Sequence, residues 1–126
     1  GMTGGQMAPT TIPGQVTQTT PLGRDTELAG YPIRVCEMMA TLSGTALAQR
    51  VAVDTVPHIR ETKKAIRKAF ENQKEKRGLS IVEVLSTCPT NWGMTPLEAI
   101  KRLQDECIPY YPLGVYKDVT AEGGEK

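Results

Sequence analysis

Two stretches of the chain carry residue types that could do chemistry. The first is Met2-Thr3-Gly4-Gly5-Gln6, at the start of the sequence. Adjacent glycines let the backbone take positive φ, so successive N–H groups can turn toward one anion such as a diphosphate. In α/β proteins such a loop follows the carboxyl end of a parallel strand, and no strand-like run precedes Gly4 here. The second is Cys88-Pro89-Thr90-Asn91-Trp92, whose cysteine stands at the carboxyl end of the most strand-like run in the sequence, Leu79 to Cys88. A thiol there lies on the side of an open α/β sheet where ligands bind.

The other candidates are weaker. Cys36, Cys88 and Cys107 are odd in number and lack Cys-x-x-Cys spacing, which excludes a disulfide framework and a self-contained zinc or iron–sulfur site. Cys36 and Cys107 lie in apolar, helix-like surroundings where a free thiol packs. His58, the single histidine, directly precedes a basic helix and is assigned no catalytic role. No Cys-His or Ser-His-Asp arrangement is possible except through His58, so no catalytic residue is assigned.

These candidates need elements to hold them. At 126 residues, with a net charge of +1, the chain fits one domain and gives no electrostatic case for nucleic acid or a membrane surface. No apolar run reaches the roughly 20 residues of a membrane span, and a cytoplasmic location is expected. Residues 1–30 are rich in Thr, Gly and Pro without hydrophobic period, a pattern open to a ligand-ordered loop or a disordered leader. The opening pentapeptide is also similar to an expression-tag leader, although Met7 to Thr11 depart from one.

A helix with Pro32 in its first turn and Gly44 at its end is expected next, then a buried strand over 46–53. Asp54 or Thr55 would cap a long helix ended by Gly78, with Ile59, Ile66, Ala69, Phe70 and Gln73 on its buried face. From Arg60 to Arg77 this segment carries eight Lys or Arg against three Glu, which reads as a solvated or partner-facing surface. Thr95 and Glu98 form a capping box around Pro96. The tail from Cys107 lacks a period and is expected to wrap over a surface. The order of elements reads as half of a doubly wound α/β sheet.

Taken together, TGGQMAPTT, KKAIRKAFENQ, SIVEVLSTCPTNW and PYYPLGVYKD resemble the thiamine-diphosphate-binding β subunit of 2-oxoacid:ferredoxin oxidoreductases, of the 2-oxoglutarate or branched-chain type. The resemblance implies the C-terminal half of a doubly wound, mostly parallel-sheet α/β domain. Residues 1–30 would form a cofactor-side loop, 31–118 the α/β layers and 119–126 a flexible tail. It further implies oxidative decarboxylation of a 2-oxoacid to acyl-coenzyme A with reduction of ferredoxin, alongside an α subunit. Met2, Thr3, Gly4, Gly5 and Gln6 would line thiamine diphosphate. Cys88 would match one ligand of an iron–sulfur cluster. The family's Gly-Asp-Gly and Asn-Asn motifs for Mg²⁺, and its other cluster cysteines, have no counterpart in these residues, so the chain alone would be inactive. The alternative is a small basic-helix binding or assembly module without catalysis.

Overall fold

A computed structural model describes residues 2–121, so most of the tail expected over 119–126 lies outside the described residues. The chain divides into two compact units, one of residues 1–34 with 87–110 and one of residues 35–86 with 111–126.

In the second unit, strand β3 (Thr45–Ala52) is flanked by β4 (Leu79–Leu85) and β5 (Gly114–Asp118), in the order β4-β3-β5. The β3–β4 pair is parallel and the β3–β5 pair antiparallel. All eight residues of β3 are buried, as a central strand covered on both faces requires. Successive side chains of a strand point to opposite faces. Accordingly Gln49 reaches Glu61 on helix α3 (Val56–Lys74), while its neighbour Arg50 reaches Glu37 on helix α2 (Val35–Ala40). The unit is therefore α/β with a helix on each face of a mixed sheet.

Helix α3 starts where Thr55 accepts a hydrogen bond from the His58 N–H, one of the first-turn donors with no partner inside the helix. It ends four residues before Gly78, and Lys76 takes the left-handed conformation expected of that glycine. Gly78 serves a different need. With φ +130°, it brings the chain so close to Gly44 that a Cβ would lie 2.4 Å from the Gly44 carbonyl oxygen. The neighbouring Leu79 N–H then bonds that same carbonyl at 2.9 Å and starts β4.

The side of α3 that is buried is not the apolar stripe. Its buried residues are Thr62, Ala65 and Asn72. The Thr62 hydroxyl donates to the Ala52 carbonyl oxygen at 2.8 Å, and the Asn72 amide donates to Ser80 Oγ at 3.3 Å. Small and hydrogen-bonded side chains let the helix backbone approach the sheet.

The tail forms β5 in place of an unstructured wrap. Its pairing with β3 skips Tyr116, a bulge that turns this side chain toward Arg50. Asp118 ends the strand and holds Lys68 of α3 and the hydroxyl and N–H of Thr120. Burial pushes the Asp118 carboxyl up, but these bonds outweigh it and hold the group below the ordinary carboxylate range.

In the first unit, β1 (Met2–Thr3) and β2 (Gln6–Met7) form a two-stranded hairpin, followed by a turn-rich segment and the short helix α1 (Thr26–Ala29). Helix α4 (Pro89–Trp92) follows, then α5 (Pro96–Arg102), with the expected Thr95–Glu98 capping box formed in both directions. A π-helical turn (Leu103–Cys107) and α6 (Ile108–Tyr110) complete it. Among the described residues no helix is long and apolar enough to cross a membrane.

Candidate functional site

Met2 to Gln6 make a tight hairpin. Met2 pairs with Met7 and Thr3 with Gln6, and the chain reverses at Gly4 (φ +54°) and Gly5 (φ +99°). Two consecutive positive φ values are what a type I′ two-residue hairpin loop demands, and glycine meets them without steric cost. The second glycine also accommodates a close neighbour, because a Cβ on Gly5 would lie 2.6 Å from the Gln18 side-chain nitrogen. The Gly5 carbonyl accepts the Gln18 N–H at 2.9 Å, and Thr19 Oγ1 accepts the Met7 N–H at 3.0 Å.

Arg24 is what orders the irregular segment behind the hairpin. It is buried, and its guanidinium donates to five carbonyl oxygens: those of Ala8, Pro9, Thr11, Ala29 and Gly30, at 2.8 to 3.2 Å. Backbone carbonyls of an irregular segment lack the ladder partners of a helix or sheet, and one five-donor side chain supplies them here. Sequence reasoning misses this residue. A lone Arg in a Thr/Gly/Pro-rich stretch is the available signal.

Cys88 lies three residues beyond the end of β4, as the N-cap residue of α4. It is half-buried, and Asn91 donates its side-chain amide to the sulfur at 3.3 Å. The turn is fixed on both sides. The Trp92 N–H bonds the Cys88 carbonyl at 3.0 Å, Gly93 caps the helix in the left-handed conformation, and the Arg102 guanidinium stacks 4.8 Å from the Trp92 ring centre. A sulfur that accepts an amide N–H has the polar environment a metal-bound thiolate uses. Asn91 joins the candidate site through this bond.

The other two thiols are packed. Burial, assisted by Glu83, pushes the Cys36 thiol up to about 12, and burial also raises that of Cys107. Thiolate is the reactive form, so with iodoacetamide at neutral pH Cys88 should alkylate first and Cys36 last. Peptide mass spectrometry reads the order, and Cys36 labelling as fast as Cys88 would contradict it. His58 pairs with the buried Asp54, Nδ1 to Oδ1 2.5 Å, across the first turn of α3.

The hairpin and Cys88 fall in the same compact unit, and Cys36 falls in the other. Among the described residues no group of three or more His, Cys, Asp or Glu stands close enough to hold a metal ion. The residues present therefore do not by themselves fit a Mg²⁺ ion or an iron–sulfur cluster. In the same unit as the hairpin, the buried Gln15 Nε2 has no hydrogen-bond acceptor among the described residues.

No family profile matches the chain, and no solved structure does so. Among curated proteins it is 43% identical over 122 residues to the ketoisovalerate oxidoreductase subunit VorA of Methanothermobacter thermautotrophicus, a match spanning 97% of this chain and 26% of that protein. VorA of Methanothermobacter marburgensis is 42% identical over the same extent. The 2-oxoglutarate synthase subunit KorB of Archaeoglobus fulgidus is 37% identical over 105 residues, covering 83% of this chain and 35% of KorB. The chain thus spans about a quarter of the length of the VorA relatives. Matched along nearly its whole length, the chain belongs with the 2-oxoacid oxidoreductase subunits and corresponds to part of one.

Proposed function

We propose that the chain works as part of a 2-oxoacid:ferredoxin oxidoreductase, with Met2 to Gln6 on the thiamine diphosphate side and Cys88 as one thiolate of an iron–sulfur cluster. The observation that carries this reading is the 43% identity across 97% of the chain to a subunit named as an oxidoreductase of ketoisovalerate. When bound, thiamine diphosphate supplies the carbanion chemistry of oxidative decarboxylation, with coenzyme A taking the acyl group and ferredoxin the electrons. Mg²⁺ and the remaining cluster ligands come from outside the described residues, together with the α subunit.

What this chain contributes is rigidity and placement. The Gly4-Gly5 turn is held in place, because the Gly5 carbonyl accepts the Gln18 N–H and Thr19 accepts the Met7 N–H. Cys88 is held at a set position by the α4 turn, and Asn91 supports the charge on its sulfur when it is a thiolate. Of the two substrate names found among the relatives, the branched-chain 2-oxoacid is the one attached to the more similar proteins.

Cys88→Ser in the assembled oxidoreductase tests the assignment. A neutral hydroxyl is a far poorer iron ligand than a thiolate. The variant should lose iron from one cluster, alter the low-temperature electron paramagnetic resonance spectrum of the reduced complex and reduce ferredoxin slowly. Cys36→Ser and Cys107→Ser should keep the full iron content. An unchanged iron count with normal ferredoxin reduction in Cys88→Ser would return Cys88 to a packing role.

A further inference from the structure

We propose that Asn91 is a positioning residue whose side-chain amide, by donating to the Cys88 sulfur, raises the reduction potential of the iron–sulfur cluster that Cys88 helps to hold. This rests on the reading above for the cluster, and on the turn at residues 88–93 for the amide.

Asn91 stands three residues after Cys88, and positions three apart in a helical turn are neighbours on one side. Its amide nitrogen lies 3.3 Å from the sulfur and donates to it. The turn that sets this spacing is tied by backbone bonds. The Trp92 N–H bonds the Cys88 carbonyl at 3.0 Å, the Met94 N–H the Pro89 carbonyl at 3.0 Å and the Gly93 N–H the Thr90 carbonyl at 3.3 Å. An asparagine in a short turn commonly bonds nearby backbone groups with its side chain. Here those groups bond one another, and the Cys88 side chain makes no cap bond. The Asn91 amide is left to the sulfur.

Cys88 suits one thiolate of a cluster, since its sulfur is half-buried and already accepts an N–H. A hydrogen bond to a charged acceptor strengthens as the charge on that acceptor grows. Thiolates of a cluster become more negative when the cluster takes up an electron, so the Asn91 bond is stronger in the reduced state. A contact that favours the reduced state raises the potential, and hydrogen bonds to the sulfurs are one means by which a protein sets it. Asn91 is exposed, and competition from water keeps the effect moderate.

The side-chain type matters as much as its place. An amide of this size brings N–H donors without charge, whereas a carboxylate of the same shape has no donor and repels a thiolate. The other two thiols are placed differently. Burial, the leading influence on both Cys36 and Cys107, disfavours their thiolates.

The test compares Asn91→Ala and Asn91→Asp with the parent in the assembled oxidoreductase. Iron is counted, and a redox titration follows the electron paramagnetic resonance signal of the cluster that Cys88→Ser removes. Both Asn91 variants should keep the full iron content. At fixed potential, Asn91→Ala should move the cluster three- to tenfold toward its oxidised form, a midpoint about 28–59 mV lower for a one-electron couple. Asn91→Asp should lower the midpoint further. A role confined to holding the turn would instead cost both variants iron, with no order between their midpoints. That result, or a parent-like midpoint in both variants, would overturn the proposal. If Cys88→Ser loses iron while the Asn91 variants keep the parent midpoint, the cluster assignment stands and only the role of Asn91 falls. If Cys88→Ser keeps its iron, both fall.

Discussion

Replacing Arg50 with Met is expected to lower the stability of the second unit by about 3–5 kcal/mol, the cost of stranding a buried partner charge. The Arg50 side chain is fully buried. Its guanidinium donates to Glu37 at 3.1 and 2.6 Å, to Glu83 at 2.7 Å, to the Pro112 carbonyl at 3.2 Å and to the Tyr116 hydroxyl at 2.7 Å. The Tyr111 and Tyr116 rings each lie 5.0 Å from it. One planar cation thus joins α2, β3, β4 and β5, and only a guanidinium has enough donors in a fixed fork to do so. Methionine would fill the volume and leave two carboxylates facing each other without a cation. Removing both charges as well, with Glu37→Gln and Glu83→Gln, should recover much of the loss, because the desolvation cost disappears with the charge. Urea denaturation of the single and triple variants reads both effects. A single variant as stable as the parent would show that water reaches the carboxylates.

Arg24→Met should act on the first unit, by releasing the segment between the hairpin and α1. Five carbonyl oxygens would lose a charged donor at once. Hydrogen bonds to charged groups contribute about 1.5–3 kcal/mol each and do not add in full. The expected result is local opening, because Leu22 and Leu28 already stand exposed and few apolar contacts would hold the loop. Thermolysin should then cut within residues 13–30 on the order of tenfold faster or more, since cleavage follows the population of the open form. Arg24→Lys should fall between the two, as an ammonium cannot reach all five oxygens. Equal cleavage rates for Arg24→Met and the parent would mean that the turns hold themselves.

Elements with strong periods or caps are legible in the sequence. The strand that begins at Leu79, the buried strand expected over 46–53 and found over 45–52, the start of α3 and the Thr95–Glu98 box each come from a pattern that local physics enforces. The β5 strand is not legible, because its residues Gly-Val-Tyr-Lys-Asp are half polar and their pairing depends on a strand more than sixty residues earlier. The hairpin at Gly4-Gly5 reads as a turn but not as a paired structure, since two-residue strands leave no period. The buried side of α3 is misleading for a physical reason: apolarity marks the face that should be covered, while close contact with the sheet here uses Thr62, Ala65 and Asn72. For the candidate site, residue types and the position after a strand point to Cys88. The amide of Asn91 on its sulfur and the grip of Arg24 on the loop need coordinates.

The π-helical turn at Leu103–Cys107 sets how the chain tolerates a change in length. Across it the Ile108 N–H bonds the Leu103 carbonyl five residues back, where an α-helix would bond four back. Ala99 and Leu103 are buried one α-helical turn apart, and beyond the wider turn Cys107 and Ile108 are both half-buried. One residue is thereby absorbed without rotating the downstream helix, so that Tyr110 still meets the Arg34 guanidinium at 4.9 Å. A related chain one residue shorter between Leu103 and Cys107 would close this stretch as plain α-helix and present the same face. A single-residue gap belongs at this turn, whereas the same gap inside α5 would turn every later side chain by about 100°.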